Sequence, residues 1–292
     1  MFKNIKIFIQ QKPILTYFIL TFIISWAGII LASFFMGMPT TSKQFEEDGP
    51  LALMPLLLGP TVVSLILIGI VHGKAGFHDL KSRFLNWRLD IRWYVFALCP
   101  LPGILLIMLL VLSQFSSDFT PKVMNEAYKV SFVITGLIMG FIGGGIFEEI
   151  GWTGFVTPEL RKRYSVFKSG LVLGFIWAVW HFLPVLWGSG NANGNLDWSI
   201  FLPGLFCHYT VLVSYRVLMV WVHENTKSML PIIFMHGVLG AFTNFILNIS
   251  VGGWSLFLYY LILAIALWTI IAIILFKEKR GSAINYLLSN PS

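Results

Sequence analysis

Charged residues are scarce in this sequence. Only 11% of its 292 residues are Asp, Glu, Lys or Arg, whereas 57% are hydrophobic. A soluble globular domain carries roughly 25% charged residues, so the composition excludes an ordinary soluble protein and indicates a membrane protein. Apolar runs recur from residue 14 to residue 276 without a polar stretch long enough for a second folded unit. We therefore expect one integral-membrane domain over residues 1–292.

Cysteine is also rare, and acidic residues are outnumbered by basic ones. Cys99 and Cys207 lie within apolar runs and form no CxxC pair, which excludes a disulfide framework and a cysteine metal cluster. We expect both to pack in the core. The net charge is +7, but the basic residues lie in short loops between apolar runs. This distribution argues against a nucleic-acid partner and fits a lipid bilayer.

Long apolar runs define the predicted fold. A transmembrane helix needs about 20 apolar residues, and this length predicts an all-α, polytopic membrane protein with about eight transmembrane helices. The candidate spans are residues 14–36, 51–72, 92–113, 130–157, 166–187, 199–222, 228–249 and 254–276.

The basic residues predict the orientation of these spans. Of the 20 Lys and Arg residues, all but Lys43, Lys122 and Lys129 fall on the side of the N-terminus. Basic loops face the cytosol, so both termini are predicted to be cytosolic. Residues 73–91 are basic and also contain large apolar side chains. They could form an interfacial amphipathic helix or a plain basic loop.

Ionisable residues within the apolar spans are the candidate functional residues, because such groups are costly in a bilayer. From the helical rise, Glu148 lies about 18 Å, His181 about 20 Å and His236 about 13 Å from the cytosolic ends of their helices. We therefore expect these three side chains to share one layer near the membrane centre. The full set is Glu148, Glu149, His181, His208, Arg216 and His236.

A carboxylate and two imidazoles at one depth favour hydrolysis. Glu148 could accept a proton from a water molecule, while an imidazole stabilises the oxyanion of a cleaved carbonyl. Glu148, His181 and His236 are also a common ligand set for catalytic zinc or another divalent metal. Two alternatives remain from the residues alone. The glutamates could form a solvated helix end if the helix stops at Phe147, and each histidine could make a structural interhelical hydrogen bond.

Three motifs resemble the CPBP family of intramembrane proteases, which includes type II CAAX prenyl endopeptidases and Abi-type proteins. The family motifs EExxxR, FxxxH and HxxxN correspond here to residues 148–153, 177–181 and 236–240, within a catalytic core of about 130–245. This sequence departs from them at Thr153, Trp177 and Gly240.

The resemblance implies an endopeptidase that hydrolyses a peptide bond of a membrane-associated protein or peptide. It implies Glu148 as general base, His181 as its partner, His236 as oxyanion stabiliser and Glu149 as a supporting charge. Whether a metal takes part is left open by the family, whose members are often labelled metalloproteases. The implied location is a bacterial cell membrane, with a peptide or membrane-protein substrate. Trp177 would preserve an aromatic wall.

The departures raise two further predictions. With glycine at position 240, the chain lacks the side-chain donor of the family motif. Asn244 lies two turns after His236 on the same helix face and is a candidate supporting residue, although packing against or capping a neighbour is favoured. The family motif has arginine where this chain has Thr153. Glu149 therefore lacks the cation that would lie four residues away on the same helix. Arg216, roughly 10 Å inside its span, could supply that cation from another helix, or it could extend to the lipid headgroups.

Two other functions remain open. An ion-coupled transporter could use the glutamates and histidines as a proton relay. A catalytically silent membrane regulator or bacteriocin-immunity scaffold would agree with the missing arginine and asparagine of the family motifs.

Overall fold

The fold is helical throughout the residues that the computed structural model describes, which are 2–36, 41, 44, 47, 49 and 51–289. Within this part of the chain, β-structure is limited to two isolated bridges. Lys43 lies outside the described residues. The main helices are α1 (Phe2–Gln11), α2 (Pro13–Met36), α3 (Met54–Val71), α4 (Gly73–Leu85), α5 (Ile91–Leu112), α6 (Lys129–Arg161), α7 (Val166–Trp180), α8 (Trp198–Thr226), α9 (Leu230–Ile246) and α10 (Gly253–Ser289).

The predicted class, an all-α protein with several apolar helices, is confirmed. Six helices of the described chain, α2, α3, α5, α6, α8 and α10, are long and apolar enough to cross a membrane. Helices α7 and α9 occupy the other two predicted spans but are shorter, so length alone does not assign them as crossings. Helix α7 is followed directly by a short helix, Phe182–Trp187. The cytosolic placement of the termini stays a prediction.

Residues 73–85 of the predicted segment 73–91 form a helix, and residues 86–90 connect it to α5. Helix α4 buries Leu80, whereas Phe77 and Leu85 on the same helix are exposed. Trp87, just beyond the helix, is also exposed. This pattern fits the predicted amphipathic helix, whose apolar side chains are divided between the protein and its surroundings.

The prediction that both cysteines pack in the core is wrong for Cys99. Cys207 is buried, but Cys99 is exposed at the kink of α5. The physical reason is that a membrane helix is apolar on its lipid-facing side as well as on its packed side. Hydropathy alone therefore does not show which side a residue occupies.

Glycines allow α6 and α9 to approach each other closely. Helix α6 widens to π-helical hydrogen bonding over Met139–Glu148, a segment that contains four glycines, at positions 140, 143, 144 and 145. A Cβ atom at Gly140 would lie 2.7 Å from the backbone nitrogen of Ala241, and one at Gly240 would lie 3.1 Å from the Cα of Gly140. Such π segments are frequent at functional sites. Here the segment ends at Glu148.

Helices α6, α7, α8 and α9 pack around the candidate residues. Helix α7 packs along the second half of α8, and α9 packs against the π segment of α6. The largest fully buried side chains include Trp152, Trp177, Trp180 and Arg216, one or two from each of α6, α7 and α8. This aromatic centre lies beside the glutamates.

Candidate active site

Glu148 and Glu149 lie within a continuous helix, not at a solvated helix end. Helix α6 continues to Arg161, and the two glutamates are only 3% and 0% exposed. The alternative in which the helix stops at Phe147 is therefore wrong. Two adjacent buried carboxylates require partners, because an unpaired charge is very costly in an apolar interior.

Arg216 from α8 is the principal partner of Glu149. Its Nη1 and Nη2 atoms donate to Glu149 Oε2 and Oε1, each at 2.9 Å. Both side chains are 0% exposed in this ion pair, and the two-pronged geometry is the strong form of such a pair. The cross-helix contact considered from the sequence is thus present, and Arg216 does not extend to the headgroups. Thr153 adds a hydroxyl hydrogen bond to Glu149 Oε2 at 2.5 Å.

Glu148 is held by indole groups rather than by a cation. Its Oε2 atom accepts from Trp177 Nε1 at 2.8 Å and from Trp152 Nε1 at 3.2 Å. Its Oε1 atom faces Nε2 of His236 at 3.9 Å, which is too long for a direct hydrogen bond. The neighbouring glutamates on α6 therefore have different partners.

His236 lies between the two carboxylates. Its Nδ1 atom is 2.6 Å from Glu149 Oε1, and since a carboxylate only accepts, Nδ1 is the protonated nitrogen. Its Nε2 atom faces Glu148. A Cβ at Gly144 would lie 2.5 Å from that Nε2, so a glycine on α6 leaves room for the ring. Glu149 thereby fixes the orientation of the imidazole that faces Glu148.

His181 reaches the same cluster through Trp177. Its Nδ1 atom donates to the Trp177 carbonyl at 2.9 Å, which leaves Nε2 as an acceptor in the neutral ring. The ring centres of Trp177 and His181 are 5.3 Å apart. His208, which the sequence marked only as ionisable, lies with its ring 5.4 Å from that of His181.

Two functional contacts were missed by sequence reasoning. Trp152 donates to Glu148 from four residues away on the same helix, and the i,i+4 spacing is a signal that could have identified it. The Trp177 N–H bond to Glu148 depends on how α7 packs against α6, so no local pattern reveals it.

The structure does not bring Asn244 into the cluster. Asn244 is exposed and lies in the π-helical end of α9, with Thr243 as its hydrogen-bond partner. Thr243 is a neighbouring residue, so this contact does not contradict packing or capping by Asn244. The role of Asn244 as a supporting residue stays a prediction, although the π-helical end of α9 departs from the regular helical spacing on which that role rested.

Close helix packing accounts for glycine at position 240. The tight contact of Gly240 with Gly140 leaves no space for an asparagine side chain unless α9 moves. This chain therefore combines close α6–α9 packing with the loss of an amide donor at that position.

The predicted metal ligands do not form a metal-binding arrangement in this structure. Among the described residues, no group of three or more His, Cys, Asp or Glu side chains could hold a metal ion. His236 donates from Nδ1 to Glu149, and His181 donates from Nδ1 to a backbone carbonyl; such bonds are compatible with a metal bound at Nε2. Because Glu148, His181 and His236 do not form a metal-holding group as placed, we derive no step through a metal.

Helix α4 contacts the glutamate-bearing helix α6 through Arg83. Arg83 donates to the carbonyls of Thr153 and Gly154 at 3.4 and 2.8 Å, within the second π segment of α6, Trp152–Val156. Burial lowers the pKa of Arg83 from its ordinary value, and Asp79 acts in the opposite direction. The interfacial helix is therefore anchored directly to the glutamate-bearing helix.

Comparison with known proteins relates this chain to a family of membrane proteases. The family model of the Rce1-like type II CAAX prenyl endopeptidases matches residues 130–246. The predicted resemblance is confirmed. A curated relative, CAAX prenyl protease 2 of Methanococcus maripaludis, is 23% identical over 231 residues, covering 76% of this chain and 79% of the relative.

The Rce1-like region contains the ionisable residues of the glutamate–histidine cluster. It spans the two glutamates on α6, His181 after α7, Arg216 on α8 and His236 on α9. Together with the apolar helices, this likeness supports a multi-pass membrane protease.

Proposed function

We propose that the chain is an intramembrane endopeptidase in which Glu148 activates the attacking water. One observation carries the proposal: the imidazole of His236 lies between two buried carboxylates, of which Glu149 has a guanidinium partner and Glu148, among the described residues, has none. The catalytic core is residues 130–245 of a single membrane domain. The comparisons support a protease, and the roles of the individual residues are the proposal.

Glu148 Oε1 is the atom proposed to take the proton. Its separation of 3.9 Å from His236 Nε2 suits a water molecule that hydrogen-bonds to both groups. Glu148 removes one proton from this water while the water oxygen attacks the scissile carbonyl carbon. The same proton then passes to the leaving amine as the C–N bond breaks. His181 assists by accepting a hydrogen bond from the second O–H of this water at its unprotonated Nε2 atom, and that hydrogen stays on the product carboxyl group.

His236 is proposed to stabilise the oxyanion. Glu149 and Arg216 balance each other's charge, so an imidazolium at His236 would balance ionised Glu148 and leave the buried cluster neutral. In that form the ring donates from Nδ1 to Glu149 and from Nε2 to the developing oxyanion. Glu149 is then a positioning residue, and Arg216 keeps it ionised.

A cleavage assay on purified protein tests this proposal. Because the relative is named a CAAX prenyl protease, the first probe is an internally quenched, farnesylated peptide that ends in a CAAX sequence. The unprenylated peptide and an apolar transmembrane peptide are the comparison probes. We expect wild-type cleavage and a loss of at least about 100-fold in Glu148→Gln, since a general base contributes about 10²- to 10⁴-fold.

The cleavage rate of the wild type is also measured with and without a chelator, which tests separately whether a metal contributes. Full activity in Glu148→Gln, His181→Ala and His236→Ala, each with the wild-type unfolding temperature, would overturn the proposed roles.

The lack of an asparagine at position 240 favours a second candidate, a catalytically silent regulator or immunity scaffold. That function predicts no cleavage by the wild type and a cellular phenotype that survives replacement of Glu148, His181 and His236. A proton-coupled transporter would instead show substrate uptake that requires Glu148.

A further inference from the structure

The side chain of Trp177 makes more contacts with the candidate catalytic groups than the sequence suggested. Its indole touches Glu148 and Arg216 and packs against both His236 and His181. We infer that Trp177 is a positioning residue, whose N–H group holds Glu148 with its Oε1 atom directed at the water site. This inference rests on the proposed function and extends it to a residue that neither binds substrate nor carries charge.

The hydrogen bond determines which carboxylate oxygen is left to react. Trp177 Nε1 lies 2.8 Å from Glu148 Oε2, and Trp152 Nε1 reaches the same oxygen at 3.2 Å. Both donors therefore engage Oε2, and Oε1 remains directed toward His236. A carboxyl group rotates readily about its terminal bond. Without donors on one oxygen, the orientation of Glu148 would depend on packing alone.

The position of the indole is itself fixed by the ion pair of Glu149. The guanidinium carbon of Arg216 lies 4.1 Å from the centre of the Trp177 ring, within the range of a cation–π contact. The same guanidinium binds Glu149 through two hydrogen bonds. Arg216 thus neutralises Glu149 directly and stabilises, through Trp177, the orientation of Glu148.

The two histidines further restrict the indole. The ring centre of His236 is 5.0 Å away and that of His181 is 5.3 Å away, each at an interplanar angle of 74°. Trp177 is 1% exposed, so the ring has no free direction in which to move. Phenylalanine would preserve much of this packing but has no N–H to donate.

The substitution Trp177→Phe therefore isolates the donor, and the chain offers a matched control in Trp180→Phe. Trp180 is 0% exposed and packs against His181 with ring centres 4.7 Å apart. Its indole N–H has no hydrogen-bond partner among the described residues. Both variants remove the same atoms from the same aromatic centre, but only one removes a bond to Glu148.

The first measurement is steady-state cleavage of the farnesylated quenched peptide. For Trp177→Phe we expect kcat to fall roughly 10- to 100-fold with KM within about twofold, since a hydrogen bond to a charged group has about this value. Trp180→Phe should lose less than about threefold in kcat, because no donor to the reacting groups is removed. Equal losses in both variants, or a Trp177→Phe loss confined to KM, would overturn the inference.

A spectroscopic measurement reports on the bond without any substrate. The ultraviolet resonance Raman band that senses indole N–H hydrogen bonding should change when Glu148→Ala is introduced into wild type. The change should be much smaller in the Trp177→Phe background, where only Trp152 still donates. An identical change in both backgrounds would show that Trp177 does not hold Glu148, and would overturn the inference.

The two proposals fail in different ways. If the wild type cleaves none of the probes, the proposed function is overturned, and with it the catalytic role of Trp177. If the wild type cleaves and Trp177→Phe behaves like Trp180→Phe, the proposed function stands and only the inference about Trp177 is overturned.

Discussion

Glu148 and Glu149 are adjacent in the chain, yet their surroundings are opposite in kind. Glu149 is enclosed by a guanidinium, a hydroxyl and an imidazole N–H. Glu148 receives two indole N–H groups and keeps one oxygen facing His236 across a gap. Neighbouring residues on a helix point about 100° apart, so each carboxylate meets a different set of helices. The surroundings of Glu149 favour a permanently charged carboxylate. Those of Glu148 leave its carboxylate able to exchange a proton.

This difference indicates how one helix can supply both a structural and a reactive carboxylate. A buried ion pair tolerates little change, because the loss of either partner leaves a charge without solvent. Neutral N–H donors orient a carboxylate without supplying a full opposing charge. The proposed division of roles therefore follows from the partners and not from the glutamates themselves.

The largest expected effect on stability comes from removing the cation of the Glu149 environment. Arg216→Met leaves Glu149 buried without its guanidinium and should lower the free energy of unfolding by about 3–5 kcal/mol. Adding Thr153→Arg should recover part of this loss, because residue 153 already contacts Glu149 Oε2 from the next helical turn. The measurement is denaturant unfolding in mild detergent. Wild-type stability in Arg216→Met would show that the pair has no structural role.

A smaller effect should follow from disturbing the α6–α9 contact behind both glutamates. In Gly240→Ala, the new methyl group meets the Cα of Gly140 at 3.1 Å, and overpacking typically costs about 1–3 kcal/mol. The matched control is Gly103→Ala on α5, where no atom lies within 4 Å of the added Cβ. That control should be neutral or stabilising, by up to about 1 kcal/mol. Equal unfolding free energies for the two variants would contradict the proposed close packing.

The smallest expected effect is at Asn244, which lies outside both environments. Because its side chain is exposed, Asn244→Ala should leave cleavage of the farnesylated peptide within about twofold of wild type, as surface substitutions usually do. His236→Ala, on the same helix, is the comparison variant and should lose most activity. If Asn244→Ala lost as much cleavage activity as His236→Ala, Asn244 would have a catalytic role and this prediction would be wrong.

Much of the fold could be predicted from the sequence because membrane helices are defined by local hydropathy. The apolar helices lie where spans were predicted, and α6 continues past the glutamates. The Arg216–Glu149 contact could also be predicted from the sequence. With threonine instead of arginine at position 153, a buried Glu149 requires a cation from another helix. These inferences use local spacing and charge balance, which a single sequence contains.

Other features depend on which face of each helix packs, and hydropathy does not report this. Cys99 is exposed, and Trp177 directs its N–H at Glu148 rather than forming only an aromatic wall. Asn244 is exposed in the π-helical end of α9, which departs from the regular spacing assumed from the sequence. The orientation of His236 between two carboxylates likewise requires the relative placement of α6 and α9.

The most direct test compares Glu148→Gln with Glu149→Gln in two measurements on the same samples: kcat for the farnesylated peptide and the free energy of unfolding. Glu148→Gln should lose at least about 100-fold in kcat, with unfolding within about 1 kcal/mol of wild type, because the glutamine side-chain oxygen can still accept from the two indoles and the Arg216–Glu149 pair is kept. Glu149→Gln should be destabilised by about 3–5 kcal/mol, because Arg216 is left unpaired, and its folded fraction should lose less activity. The reverse pattern, or identical effects of the two substitutions, would contradict the division of roles between the adjacent glutamates.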